Sequence, residues 1–505
     1  LPRRAFALSL QASSMLEWGA VESSNQPKAL RVLFFAETWE RFSYYGMRAL
    51  LVYYMTRHFR YSDDAAYVVY GSYTALVYTT PVIGGMLADR LLGGRKAVLF
   101  GGLLMALGHF AMAFDALFYL ALALLICGNG FFKPNISAIV GRVYADDDHK
   151  RDRAFAIFYM GINLGGMSAG VCGYLGETFG WHLGFGLAGV GMLIGLAVFM
   201  WGQRFLGGAA EPPDIGKLQR PVLLGLNREW LIYLGTLGAV GLSYVLVQQG
   251  ELLGSLLLVV GLATLLGLIY YLLRHAQPVE RGPMFVAIVL IVFSTMFWAF
   301  FEQAGSSMAL FTERNVDRSV LGTELKPSVF TSVNSAYVLL FSPFFIWLWG
   351  KLGSREPSTP LKFSLGTVQL GLGFGALWLG ASSSQATGVV PLFWLMLGIA
   401  LQTTGELCLS PVGLSMITKL SPKRIVGVMM GAWFLASAEA QYMAAAIARL
   451  TGVKGAETAA AAIAPASTVM VYGSVFGGIA VIALVVGGLM SAVSPLLARH
   501  TGQVR

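Results

Sequence analysis

Apolar positions in this chain fall in long unbroken runs, not in the stripes or alternations of a core that faces water on one side. Runs near 29–58, 65–92, 96–114, 116–143, 153–179 and 182–204 predict six helices, each near the ~20 residues that cross a hydrocarbon layer. Their short connections predict antiparallel neighbours. From 205 to 222 the chain turns polar and rich in breakers (Gly207, Gly208, Pro212, Pro213, Lys217, Arg220), which predicts a linker. Two more runs, near 228–249 and 251–274, meet in a tight turn at Gln249-Gly250. Beyond Arg274, His275 and Arg281 come six further runs, near 283–312, 327–352, 361–382, 390–420, 425–451 and 467–498.

The pattern is six, two and six: an all-α polytopic membrane protein of about 14 spans. It divides into a tail (1–27), a six-helix lobe (28–204), a linker carrying two inserted helices (205–282), a second six-helix lobe (283–500) and a tail (501–505). Two six-helix lobes are the plan of a secondary transporter, with its site between the lobes near the bilayer midplane. The inserted pair has no ionisable residue in its central stretch and is expected to pack against lipid or the lobes.

Composition agrees. Of 505 residues 56% are hydrophobic and 12% charged, about half the ~25% charge of soluble domains. In a soluble chain the balance of 35 Lys+Arg over 26 Asp+Glu would suggest nucleic acid. Here the excess sits in alternate loops: Arg90, Arg95 and Lys96; Arg142, Lys150, Arg151 and Arg153; Lys351, Arg355 and Lys362; Lys419, Lys423 and Arg424. The loops around Asp115, Glu177 and Gly388 carry almost none. The charge therefore reports topology, with no nucleic-acid partner, and places both termini in the cytoplasm. Cys127, Cys172 and Cys408 lie in apolar runs and read as small apolar filler, and the histidines form no HExxH metal site. No serine-hydrolase or protease signature is present, so an enzyme is not expected.

Ionisable residues inside spans are costly and point to function. The first helix carries Glu37, Glu40, Arg41, Tyr44, Tyr45 and Arg48 within about 140° of arc at 100° per residue. Such a stripe must line an internal cavity. Lys133 lies in the fourth run, Asn163 in the fifth, Glu302 one turn after Trp298 in the seventh main run, Asn334 in the eighth and Glu406 in the tenth. Trp433 and Ser437 are four apart in the eleventh; Glu439 reads as lying at the edge of their face and receives no role. The first lobe thus supplies positive charge and the second negative, which suits a zwitterion. Gly161, Gly165, Gly166 and Gly170 have the small-residue spacing of closely packed helices.

Five segments resemble the proton-dependent oligopeptide transporter family of the major facilitator fold. Glu37-x-x-Glu40-Arg41-Phe-x-Tyr44-Tyr45 resembles its first hallmark, and Phe155 to Gly166 its second signature. Gly85 to Arg95 is similar to the facilitator loop between helices two and three. Phe131 to Asn135 and Gly405 to Pro411 also fit. The resemblance covers about residues 28–500, inserted pair included.

It implies a proton-coupled symporter that imports di- and tripeptides across a bacterial inner membrane by alternating access. Protons would be the coupling ion with no other cofactor, membrane lipids would surround it, and it would work as a monomer. Glu37, Glu40, Arg41, Lys133 and Glu302 would couple proton movement. Arg41, Tyr45, Arg48 and Lys133 would meet the peptide carboxylate, and Asn163, Asn334 and Glu406 its amino group. Tyr78, Trp298, Trp433 and Ser437 would line side-chain pockets. Arg48 with Glu302, and Lys133 with Glu406, would form pairs between the lobes. A carrier of the same fold for nitrate, a modified amino acid or a peptide-like drug is the alternative.

Overall fold

The computed structural model describes residues 27–500 apart from 145–149, 224, 410–412 and 453–463. Apart from Pro27, the expected tails at 1–27 and 501–505 lie outside the described residues, as do Ser410 and Pro411. The first lobe contains α1 (Lys28–Tyr53), α2 (Asp63–Leu87), α3 (Gly94–Ala111), α4 (Phe118–Arg142), α5 (Lys150–Ser168), α6 (Gly170–Phe179) and α7 (Trp181–Gly202). A short helix α8 (Ile215–Gln219) and a two-strand hairpin, Pro221–Leu223 with Leu226–Asn227, lead to the inserted helices α9 (Arg228–Gln248) and α10 (Gly250–Arg274). The second lobe contains α11 (Pro278–Phe301), α12 (Ser307–Asn315), α13 (Val333–Leu352), α14 (Thr359–Ser383), α15 (Leu392–Leu409), α16 (Gly413–Leu420), α17 (Val426–Arg449) and α18 (Pro465–His500).

Helix starts follow local chemistry. Ser62 caps α2 by accepting from the Ala65 N–H at 3.2 Å, with Asp63 and Asp64 in the first turn. Asn227 caps α9 through the Trp230 N–H at 3.0 Å. Pro278 opens α11 at a position whose missing N–H costs nothing, so that helix begins before the expected residue 283.

Two of the expected runs are broken. The run at 283–312 ends as an α-helix at Phe301, tightens through a 3₁₀ turn at Glu302–Gly305 and resumes as α12. The run at 153–179 holds two helices, parted at Ala169. Among the described residues ten segments are long and apolar enough to cross a membrane. α1, α2, α3 and α17 are not among them. α1 carries the charged stripe in its middle.

Small residues bring the helices together. A Cβ at Gly84 of α2 would lie 2.0 Å from the Gly130 carbonyl oxygen of α4, and one at Gly165 of α5 would lie 2.3 Å from that of Thr38 on α1. The next residue, Gly166, faces Ser335 of α13, so α5 wedges between its own lobe and the other. α9 lies along α4, and α10 along α17 and α2. Only 28% and 17% of the apolar segments of α9 and α10 are buried, leaving broad leucine faces for lipid. Cys127, Cys172 and Cys408 are free and buried.

The two lobes meet tightly at one end of the bundle. Arg57 at the end of α1 reaches Glu177 at 2.6 Å and also pairs with Glu313 of the second lobe. Arg314 holds Asp63 through two contacts of 2.6 and 2.7 Å, and Arg449 holds Asp64 at 2.5 Å and Glu251 of α10 at 2.6 Å. At the other end Arg142–Asp89, Arg95–Glu211 and Lys96–Glu229 stay within the first lobe or tie it to the linker and inserted pair. Arg424–Glu280 stays within the second. A cavity of about 520 Å³ lies at that end between α4 and α5, lined by Ser137, Gly141, Arg142 and Phe155 among others.

Candidate substrate and coupling site

The stripe on α1 forms the floor of the site. Arg41 lies between two carboxylates, its Nε 3.0 Å from Glu37 and 2.5 Å from Glu40, and all three side chains are buried. Its guanidinium also lies over the rings of Tyr44 and Tyr45, at 5.4 and 5.9 Å. Two carboxylates share one guanidinium here. A further cation, Lys133 of α4, is close enough for its charge to act on both.

Two turns along α1, Arg48 reaches across to the second lobe. It ion-pairs with Glu302 and donates from Nε to the Tyr70 hydroxyl at 2.5 Å. The 3₁₀ turn after α11 makes this possible, since it carries Glu302 out of the helix wall. Gly305 in the same turn admits nothing larger: a Cβ there would lie 1.8 Å from the Tyr70 hydroxyl. Tyr70 was missed in the sequence, although Tyr67, Tyr70 and Tyr73 at successive three-residue steps mark an aromatic face of α2.

The expected second bridge has not formed. Lys133 lies over the Tyr78 ring at 5.0 Å, and among the described residues no ion pair joins it to Glu406. Glu406 instead accepts from Asn334 Nδ2 at 3.0 Å, and Asn334 also donates to the Thr403 hydroxyl at 3.0 Å. The physical reason is where the lobes touch. They close at the Arg57 end, while α4 packs on α2 and α3 and α15 on α13 and α14. Lys133 and Glu406 are thereby left on separate walls.

Tyr45 lies between the walls, within reach of the charges on Arg41, Arg48, Glu302 and Glu406. Asn163 is buried on α5, donating to its own helix at the Tyr159 carbonyl (3.0 Å), one turn before Gly166 packs on Tyr45 and Ser335. Trp298 is half-buried, edge-on to Phe297 and Phe301. Trp433 is half-buried too, and Ser437 bonds back to its carbonyl at 3.0 Å. These last contacts are local, so the geometry assembles Glu37, Glu40, Arg41, Tyr45, Arg48, Tyr78, Lys133, Glu302, Asn334 and Glu406 more firmly than Asn163, Trp298, Trp433 and Ser437. Glu439 is not at the edge of the Trp433 face. Six residues turn the helix by about 120°, and its carboxylate faces Gly261 of the inserted helix α10.

Comparison with known proteins gives the same outline. The sequence profile of the POT family matches residues 95–462. The chain is 38% identical to the uncharacterized transporter YclF of Bacillus subtilis over 490 residues, covering 94% of each. It is 34% identical to dipeptide and tripeptide permease A of Erwinia pyrifoliae, covering 96% of this chain and 97% of that one. A crystal structure of peptide transporter POT in complex with sulfate superposes with a TM-score of 0.80 at 36% identity, over 95% of this chain and 97% of that one. Fold and sequence agree: this chain belongs to the POT family of transporters.

Proposed function

We propose that this chain is a proton-coupled symporter of di- and tripeptides, lying in an inner membrane with both termini in the cytoplasm. Peptide transport accords with the relatives, among them a dipeptide and tripeptide permease. One observation carries the reading: Lys133 and Glu406 stand on opposite lobes, neither ion-paired among the described residues. A peptide is a zwitterion whose carboxylate fits the Lys133 wall and whose ammonium fits Glu406 and Asn334. Each terminus then replaces the charge partner that the other lobe does not supply here.

The coupling follows from charge balance. Glu37 and Glu40 are countered by Arg41 and Lys133 together. When a peptide carboxylate engages Lys133, the buried group holds one negative charge too many, and a proton taken up by one of the two glutamates restores neutrality. Peptide and proton thus enter together. The closed end at Arg57, Asp63 and Asp64 is the extracellular one by the loop-charge rule, and the end with the 520 Å³ cavity faces the cytoplasm.

The test is uptake of labelled dialanine into proteoliposomes holding purified protein, with and without an inward proton gradient. Uphill accumulation that a protonophore abolishes is the expected result. No accumulation, with folded protein in vesicles that hold the gradient, would reject the peptide symporter in favour of the same fold carrying another solute.

A further inference from the structure

A second polar site lies outside the lobe interface, where the inserted helix α10 packs on α11 and α17. A cavity of about 110 Å³ is lined there by Leu258, Gly261, Leu262, Ile291, Thr295 and Glu439, among others. Its outer rim faces the bilayer, with Leu258 62%, Leu262 52% and Val292 47% exposed. Its one ionisable group is Glu439, whose Oε1 is buried and has no hydrogen-bond partner. Gly261 makes the room, because a Cβ at that position would lie 1.5 Å from Oε1.

Among the described residues no counter-charge pairs with Glu439. The basic residues described on α10, α11 and α17 are Arg274, Arg281 and Arg449, all near helix ends. Arg449 is already engaged by Asp64 and Glu251, and Arg281 bonds the Ala276 carbonyl. A carboxylate left alone in hydrocarbon costs several kcal/mol. Glu439 is therefore poised for a cation from outside the chain.

We propose that this cavity binds a lipid-soluble amine, its ammonium paired with Glu439 and one aromatic ring or short hydrocarbon chain held among Leu258, Leu262 and Ile291. Size limits the apolar part: at about 110 Å³ the cavity is smaller than the ~150 Å³ that encloses benzene, so a ring held there lies partly in the open rim. Depth excludes a lipid headgroup as the source of the ammonium. Glu439 lies thirteen residues from one end of α17 and ten from the other, hence about 20 and 15 Å from its ends and near the middle of a ~30 Å hydrocarbon layer. The occupant must itself enter through the bilayer, by the open rim.

The probe is tritiated 2-phenylethylamine, with binding measured on the full chain in nanodiscs and empty nanodiscs subtracted. Saturable binding is expected, weakened at least tenfold by Glu439→Gln and by the cavity-filling Ile291→Phe. Saturating dialanine should leave it unchanged, and so should the neutral competitor N-acetyl-2-phenylethylamine. Either variant counts once its melting temperature matches that of the unmodified chain. Equal binding to Glu439→Gln, displacement by dialanine or equal displacement by the neutral analogue would each overturn the proposal. The first and third would mean apolar partitioning, and the second would place the amine in the central cavity.

Discussion

Gly71 offers a direct test of how the lobes close. On α2 it faces Ala445 of α17 across the lobe interface, where a Cβ at residue 71 would lie 2.3 Å from the Ala445 Cβ and 3.6 Å from the Gln441 carbonyl oxygen. Two methyl groups in contact stand about 3.5–4.0 Å apart, so Gly71→Ala forces two helix backbones to part by more than about 1 Å. No flexible side-chain end is there to yield. Overpacking of this kind costs about 1–3 kcal/mol. The cost falls on the state in which α2 and α17 touch and vanishes when this end opens, which shifts the closed-to-open ratio roughly 5–150-fold.

Spin labels at Phe114 and Thr323, exposed positions on the two lobes at this end, would read the shift as a longer distance population in nanodiscs. The native cysteines are buried and would stay unlabelled. Gly478→Ala is the matched control, since a Cβ there meets nothing within 4 Å. Distance distributions for Gly71→Ala that match the control, with unchanged peptide uptake, would refute the claim that the α2–α17 contact sets the closed state.

Other consequences are as specific. Glu406→Gln should weaken dialanine binding roughly 10–150-fold, the worth of a charged hydrogen bond of about 1.5–3 kcal/mol, whereas Glu37→Gln should keep affinity but lose uphill accumulation in proteoliposomes. Glu302→Ala leaves the Arg48 charge buried beside Tyr70 and should lower the melting temperature; adding Arg48→Ala should recover part of the loss, and additive effects would deny the pairing. Gly305→Ala drives a methyl into the Tyr70 hydroxyl and should impair uptake, with Tyr70→Phe in the same chain partly restoring it.

Most of the site was visible in the spacing of α1, because six polar groups on one helical face inside a membrane have few physical explanations. The partners were harder to see. Nothing in the apolar run at 283–312 announces the 3₁₀ turn that turns Glu302 toward Arg48, since hydrocarbon selects for apolar side chains whether or not the hydrogen-bond ladder is continuous. Lys133 and Glu406 were paired through family resemblance, and a pair that depends on which end is closed cannot be read from spacing. Glu439 escaped for another reason. Its neighbour Gly261 sits on a helix that is apolar all round, so periodicity does not say which side of α10 docks.

The buried charges of α1 also bear on how the protein is made. Glu37, Glu40, Arg41 and Arg48 each add about 3 kcal/mol to the cost of inserting a lone helix, against roughly 0.5 kcal/mol gained per leucine or phenylalanine. Alone, α1 has no reason to stay in the bilayer. Its shelter comes from α5 and α7, which are synthesised later and bring Gly165 against Thr38, Gly191 against Phe42 and Gly202 against Val32. The insertion machinery must therefore retain α1 in a protected, aqueous setting until those helices emerge. Truncated nascent chains that end before α7 should leave α1 extractable by carbonate, and chains that include it should not.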